Sequence, residues 1–169
     1  MIRTALLLAC LAAPAAAQDR AMLEHMLRDL DDATDPKVLR AATAACILGE
    51  GNADAIAAYF TEAGWTRSDD TEMGMTSLSA PAGSVGVSLY DDGRICDVAS
   101  EGWGTDTALG ALQIASGVAG LGLETLPDSE CTALRLTPSV TVEVTSTGQD
   151  PVCFSENTSA LRFTYAAAN

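Results

Sequence analysis

Four widely separated cysteines set the tightest limit on how this chain folds. Of Cys46, Cys96, Cys131 and Cys153, no two lie within four residues of each other, and His25 is the sole histidine. Structural metal sites draw on closely spaced Cys and His pairs, so this spacing argues against a metal and predicts two disulfides. Sequence leaves three connectivities open. A fifth cysteine, Cys10, belongs to a different kind of segment.

That segment, residues 1–17, reads as a secretory signal. Arg3 supplies a positive start, 4–13 an apolar stretch, and Ala15-Ala16-Ala17 the small residues of a cleavage site. Cleavage would start the mature chain at Gln18 and remove Cys10, leaving an even number of cysteines for an oxidising compartment. At about ten residues the apolar run is short of the ~20 that span a bilayer, so no membrane insertion is expected after cleavage. Leu7-Leu8-Ala9-Cys10 distantly resembles a lipoprotein box, which is the alternative to soluble export. The alanine-rich, lysine-poor composition has a bacterial look, which makes the expected destination the periplasm or the medium.

Residues 18–169 are about the size of one domain. The chain carries 23 acidic against 9 basic residues, and losing Arg3 brings the net charge from −14 to about −15. Such acidity repels nucleic acid and anionic membrane surface; it permits a basic exported protein as a partner without demanding one.

The N-terminal part, 18–51, has helical spacing. Met22, Leu23, Met26, Leu27 and Leu30 form one stripe; Val38, Leu39, Ala42, Ala45 and Cys46 form a second, capped by Asp35 with Pro36 at the first helical position. Asn52 caps a third helix that carries Ile56, Ala57 and Phe60 inward and closes at Gly64. Beyond Trp65 the period becomes two. Residues 74–79 are a possible strand, and Val85, Val87 and Leu89 alternate with smaller or polar residues as a clearer one. Asp91-Asp92-Gly93 reads as a hairpin turn and 95–99 as the return strand. A helix from Thr105 or Asp106 to about Gly120 is apolar nearly all round, which predicts burial. Strands at 132–136, 140–145 and 160–165 follow.

The two strand regions align with each other. Residues 84–89 match 139–144 in pattern, Pro81 and Pro138 precede them, and Cys96 and Cys153 follow at similar distances. The expectation is an α+β domain with an antiparallel sheet, built from two helix-strand-strand-strand units at 52–100 and 104–166, with their helices on one face. The N-terminal helices would lie at one end or on the other face. On this scheme Cys96 and Cys153 are equivalent, which favours Cys46–Cys96 with Cys131–Cys153. Those closures span about 50 and about 23 residues and would stabilise the fold by roughly 3–4 kcal/mol each.

No residue pattern nominates a reaction, and no cofactor is implied. His25 falls about 130° from its helix's apolar stripe, on the solvent side. Asp69, Asp70 and Glu72 cluster in an expected loop and Asp91-Asp92 in a turn, without the spacing of a calcium loop. Trp65 and Trp103 each follow a glycine at an element boundary, where an aromatic either plugs the core or anchors a partner. Gly110, Gln113, Gly117 and Gly120 share a line on the long helix, suited to close packing on the sheet or to an open ligand groove. The favoured function is a non-catalytic periplasmic binding or interaction protein; a narrower version is the inhibition or sequestration of a basic exported protein through acidic loops such as 68–72. The alternatives are a small carboxylate-dependent hydrolase and a carrier of an apolar ligand.

Overall fold

The computed structural model describes residues 15–32, 34–148 and 150–167. The expected signal segment therefore lies largely outside the described residues, as does Cys10. The described residues form four α-helices and one eight-stranded antiparallel sheet, an α+β fold. The helices are α1 (Ala15–Met26, continued by a 3-10 turn Leu27–Asp31), α2 (Lys37–Gly49), α3 (Ala53–Glu62) and α4 (Thr105–Val118). The strands are β1 (Thr66–Asp70), β2 (Met75–Ser79), β3 (Val85–Tyr90), β4 (Ile95–Ser100), β5 (Glu124–Thr125), β6 (Thr132–Thr137), β7 (Val140–Thr145) and β8 (Ser159–Tyr165).

Local chemistry accounts for the boundaries. The Asp35 carboxylate accepts the Lys37 N–H at 2.8 Å and opens α2; the Asn52 side chain accepts the Ala55 N–H at 2.9 Å and opens α3. At the other end of α4, Leu121 N–H reaches the Ser116 carbonyl (2.9 Å) and Gly120 N–H that of Gly117 (3.1 Å). This is a Schellman closure, and Gly120 takes the positive φ of 65° that it needs.

The sheet order β1-β2-β3-β4-β8-β7-β6-β5 is a mirror list of two halves, each a helix followed by four strands. A pseudo-twofold axis runs between β4 and β8, and it relates β3 to β7, the strands whose sequences align. The expected units had three strands each, so this is a correction. The missing ones are the two edges. β1 is Thr-Arg-Ser-Asp-Asp with four of its five residues exposed, and β5 has two residues, so neither shows apolar alternation. An edge strand packs on one neighbour only and does not need it.

Disulfides join Cys46 to Cys96 and Cys131 to Cys153, the favoured pairing. The equivalence that suggested it does not hold. Cys96 lies on β4 opposite Phe163, whereas Cys153 sits in the connection between β7 and β8. The first bridge ties α2 to the sheet centre with both cysteines fully buried, and the second ties the β7–β8 connection to the residue before β6.

A second correction concerns the N-terminal helices. α2 packs neither at one end nor on the opposite face; it lies over β3 and β4 on the face that also carries α3 and α4, between those two helices. This explains why α2, more than α4, is buried all round: Ala41, Ala42, Ala44 and Ala45 are each 0% exposed and let neighbouring backbones approach. α1 packs on α2 as an outer layer through Leu23, Ala44 and Leu48. Phe60, Phe163, Leu39, Ile56, Leu112 and Leu161 fill the main core, each stabilising it by about 1.5–3 kcal/mol.

Candidate functional site

At one end of the sheet, three acidic segments remote in sequence meet around a single concavity. Asx geometry forms the β1–β2 turn, since the Asp70 carboxylate accepts the Glu72 and Met73 N–H groups at 3.0 Å each. Asp91, Asp92 and Gly93 all adopt positive φ in the β3–β4 turn. Gly93 lies so close to the backbone of Asn52 and Ala53 that any side chain there would collide with it. That contact seats the turn against the first residues of α3, which carry Asp54. Asp54, Asp69, Asp70 and Asp92 consequently line one open concavity of about 430 Å³, with Arg67, Met75, Thr76 and Leu89 among its other walls.

The wall is organised by hydrogen bonds. Arg67 donates to Asp69 at 3.0 Å and to Asp54 at 3.2 Å, and the Thr76 hydroxyl donates to Asp69 at 2.6 Å. The Thr76 hydroxyl, then Arg67, hold the Asp69 carboxyl below the usual carboxylate range. One guanidinium against four carboxylates leaves three formal negative charges at the concavity. Asp91 is paired with Arg94 outside it. Chemically this surface accepts charge-assisted hydrogen bonds, and several carboxylate oxygens remain open for a cationic group.

A second cleft, about 630 Å³, is of another kind. It opens between α1, the ends of α2 and α4, and strands β6–β8. Leu23, Ile47, Leu121, Leu136 and Val140 line it, with Asp19, Arg20 and Glu50 among its polar residues. Tyr165 forms part of its wall and donates its hydroxyl to the Cys46 carbonyl at 2.6 Å. Burial, then the Glu50 charge, push that phenol above its ordinary range.

The remaining sequence candidates fall as follows. Asp69 and Asp70 stand on strand β1 and only Glu72 in a turn, correcting the single acidic loop. Trp65 is 3% exposed, donates its indole N–H to the Leu30 carbonyl at 3.0 Å and meets Phe60 edge-on at 4.8 Å; it belongs to the core and offers no surface to a partner. Trp103 is half-buried against the same core. His25 is exposed in the last turn of α1. Along the glycine line, a methyl group added at Gly110 or Gly117 would meet nothing within 4 Å among the described residues, whereas one at Gly120 would meet the Asp19 carboxylate at 3.2 Å; Gln113 and Gly117 are exposed, so the line is not packed on the sheet. Ile114 is 47% exposed beside them, so this side of α4 faces outward.

Asp54, Arg67 and Thr76 are the site residues that sequence reasoning missed, and Asp54 is the one with a sequence signal. Its signal was the Asn52 cap, which fixes Asp54 in the first turn of α3. No three His, Cys, Asp or Glu side chains among the described residues converge as a metal site, and no described helix is long and apolar enough to cross a membrane. No protein-family model, curated protein or solved structure matches the chain.

Proposed function

We propose that this chain is an exported, non-catalytic interaction protein of the periplasm or extracellular medium, and that it takes a basic segment of another exported protein into the acidic concavity. The convergence of Asp54, Asp69, Asp70 and Asp92 from α3, β1 and the β3–β4 turn carries this reading. Two disulfides suit an oxidising compartment and a stiff scaffold, so little ordering is required of the acidic wall on binding. The net charge of −14 adds long-range attraction for a cationic partner.

The hydrolase alternative requires a carboxyl of raised proton affinity beside an ionised one, and Asp69 suits only the ionised role. The apolar-carrier alternative moves from the glycine line to the 630 Å³ cleft, whose apolar walls favour a small hydrophobic ligand.

Capture from an extract of exported proteins tests the main reading, using wild type beside a variant with Asp54, Asp69, Asp70 and Asp92 all changed to Asn. A basic protein retained at low salt, released at high salt and lost by the variant supports it. Equal retention by both chains contradicts it. An apolar molecule carried through purification by both would favour the cleft.

A further inference from the structure

One face of the sheet is covered by no helix among the described residues, and the pseudo-twofold axis passes through its centre. Asp97 on β4 and Arg162 on β8 are direct cross-strand partners there. Asp97 is only 15% exposed; its Oδ1 is sealed from solvent and has no hydrogen-bond partner among the described residues, while Arg162 approaches Oδ2 at 3.6 Å. Burial holds the Asp97 carboxyl above its usual range, and Arg162 offsets this only in part. A charge so placed is under-compensated, and its exposed edge looks outward from the middle of the face. The surrounding residues are small or flat: Ser88 lies opposite Asp97 on β3, and Gly86, Ala99 and Ala160 occupy a neighbouring row. Met75, Tyr90 and Ile95 form a half-buried apolar strip on the other side.

We propose that this face docks a second copy of the chain, sheet against sheet, about a twofold axis parallel to the strands between β4 and β8. That operation sets Asp97 of each copy against Arg162 of the other, so the central charge pair is complementary to itself. The same operation sets Ser88 against Glu143, an additional donor for an acceptor.

The available area suits a dimer. Eight strands spaced ~4.8 Å apart, most of five to seven residues at ~3.3 Å each, give a face of roughly 34 by 18 Å. Even with the corners splayed by twist, two copies cover about 1,000 Å², the size a specific interface has to reach. Small side chains in the centre permit the ~10 Å spacing of stacked sheets. Each copy carries a net charge of −14, so the copies repel at long range and salt should favour the dimer. This dependence is opposite in sign to that expected for a basic partner in the acidic concavity, so the two proposals fail separately.

Sedimentation velocity of the oxidised, exported protein from micromolar to near-millimolar concentration provides the test. A dimer strengthened by salt is expected. Asp97→Arg or Arg162→Asp alone should weaken it by at least roughly tenfold, and the two together should restore it. Asp97→Asn, close in shape, covers the case where a reversal fails to fold; it too should weaken the dimer, with the near-ultraviolet circular dichroism unchanged. A monomer at every concentration, association indifferent to the single reversals, or a double exchange that fails to restore it would overturn the proposal. So would a basic peptide that binds this face of a monomer.

Discussion

Replacing Gly110 and Gly117 by alanine should stabilise the protein, because the structure removes the only term that opposes it. Glycine inside a helix costs about 0.8–1 kcal/mol relative to alanine. Overpacking would ordinarily offset that gain, yet an added methyl at either position meets nothing within 4 Å among the described residues. Each change is therefore worth nearly the full helix-propensity difference. The sites lie seven residues, or ~10.5 Å, apart along α4, far enough for the effects to add within a few tenths of a kcal/mol. The double variant should gain about 1.5–2 kcal/mol. With a urea slope of about 2 kcal/mol/M, the midpoint should rise by roughly 0.8–1 M at constant slope. Gly120→Ala is the internal control. Its φ of 65° closes the helix, so alanine there should cost about 1–2 kcal/mol. A lowered midpoint for Gly117→Ala would mean that this side of α4 is packed, and the outward-facing account of the helix would fail.

Graded reductant followed by alkylation and mass analysis should open Cys131–Cys153 before Cys46–Cys96, since Cys153 is exposed while Cys46 and Cys96 are fully buried. Reduction of the buried pair first would contradict this. Tyr165 should make the protein sensitive to alkali. Its phenol proton is held more tightly folded than unfolded, so its contribution is complete below the ordinary tyrosine range and is lost as pH rises above about 10. Tyr165→Phe should cost about 1 kcal/mol at neutral pH through the lost bond to the Cys46 carbonyl and should flatten the alkaline decline. Urea melts across pH would show both effects, and an unchanged alkaline decline would refute the assignment.

The central strands were legible because burial on one face writes alternation into them: Val85, Val87 and Leu89 in β3, Val140, Val142 and Val144 in β7. The helix caps were legible because Asp35 and Asn52 satisfy backbone donors locally. Edge strand β1 was not, since its polar residues answer to a single neighbouring strand and to solvent. Helix α4 misled at Ile114, which suggests burial yet is exposed, while the deciding factor, α2 seated in the centre of the same face, is tertiary. The acidic turns were visible one at a time. Their meeting depends on Gly93 resting against Asn52 and Ala53, a contact about forty residues apart in sequence that no local pattern encodes.

Titration with a short Lys/Arg-rich peptide, followed by backbone amide shifts, decides whether the acidic concavity is a binding site. Salt-sensitive, saturable shifts are expected, confined to Asn52–Asp54, Arg67–Thr76 and Asp92–Gly93, the residues around the concavity. They should disappear when Asp54, Asp69, Asp70 and Asp92 are changed to Asn. Shifts spread evenly over the other carboxylates, or unaffected by that variant, would show that the chain attracts cations by net charge alone and would contradict the account.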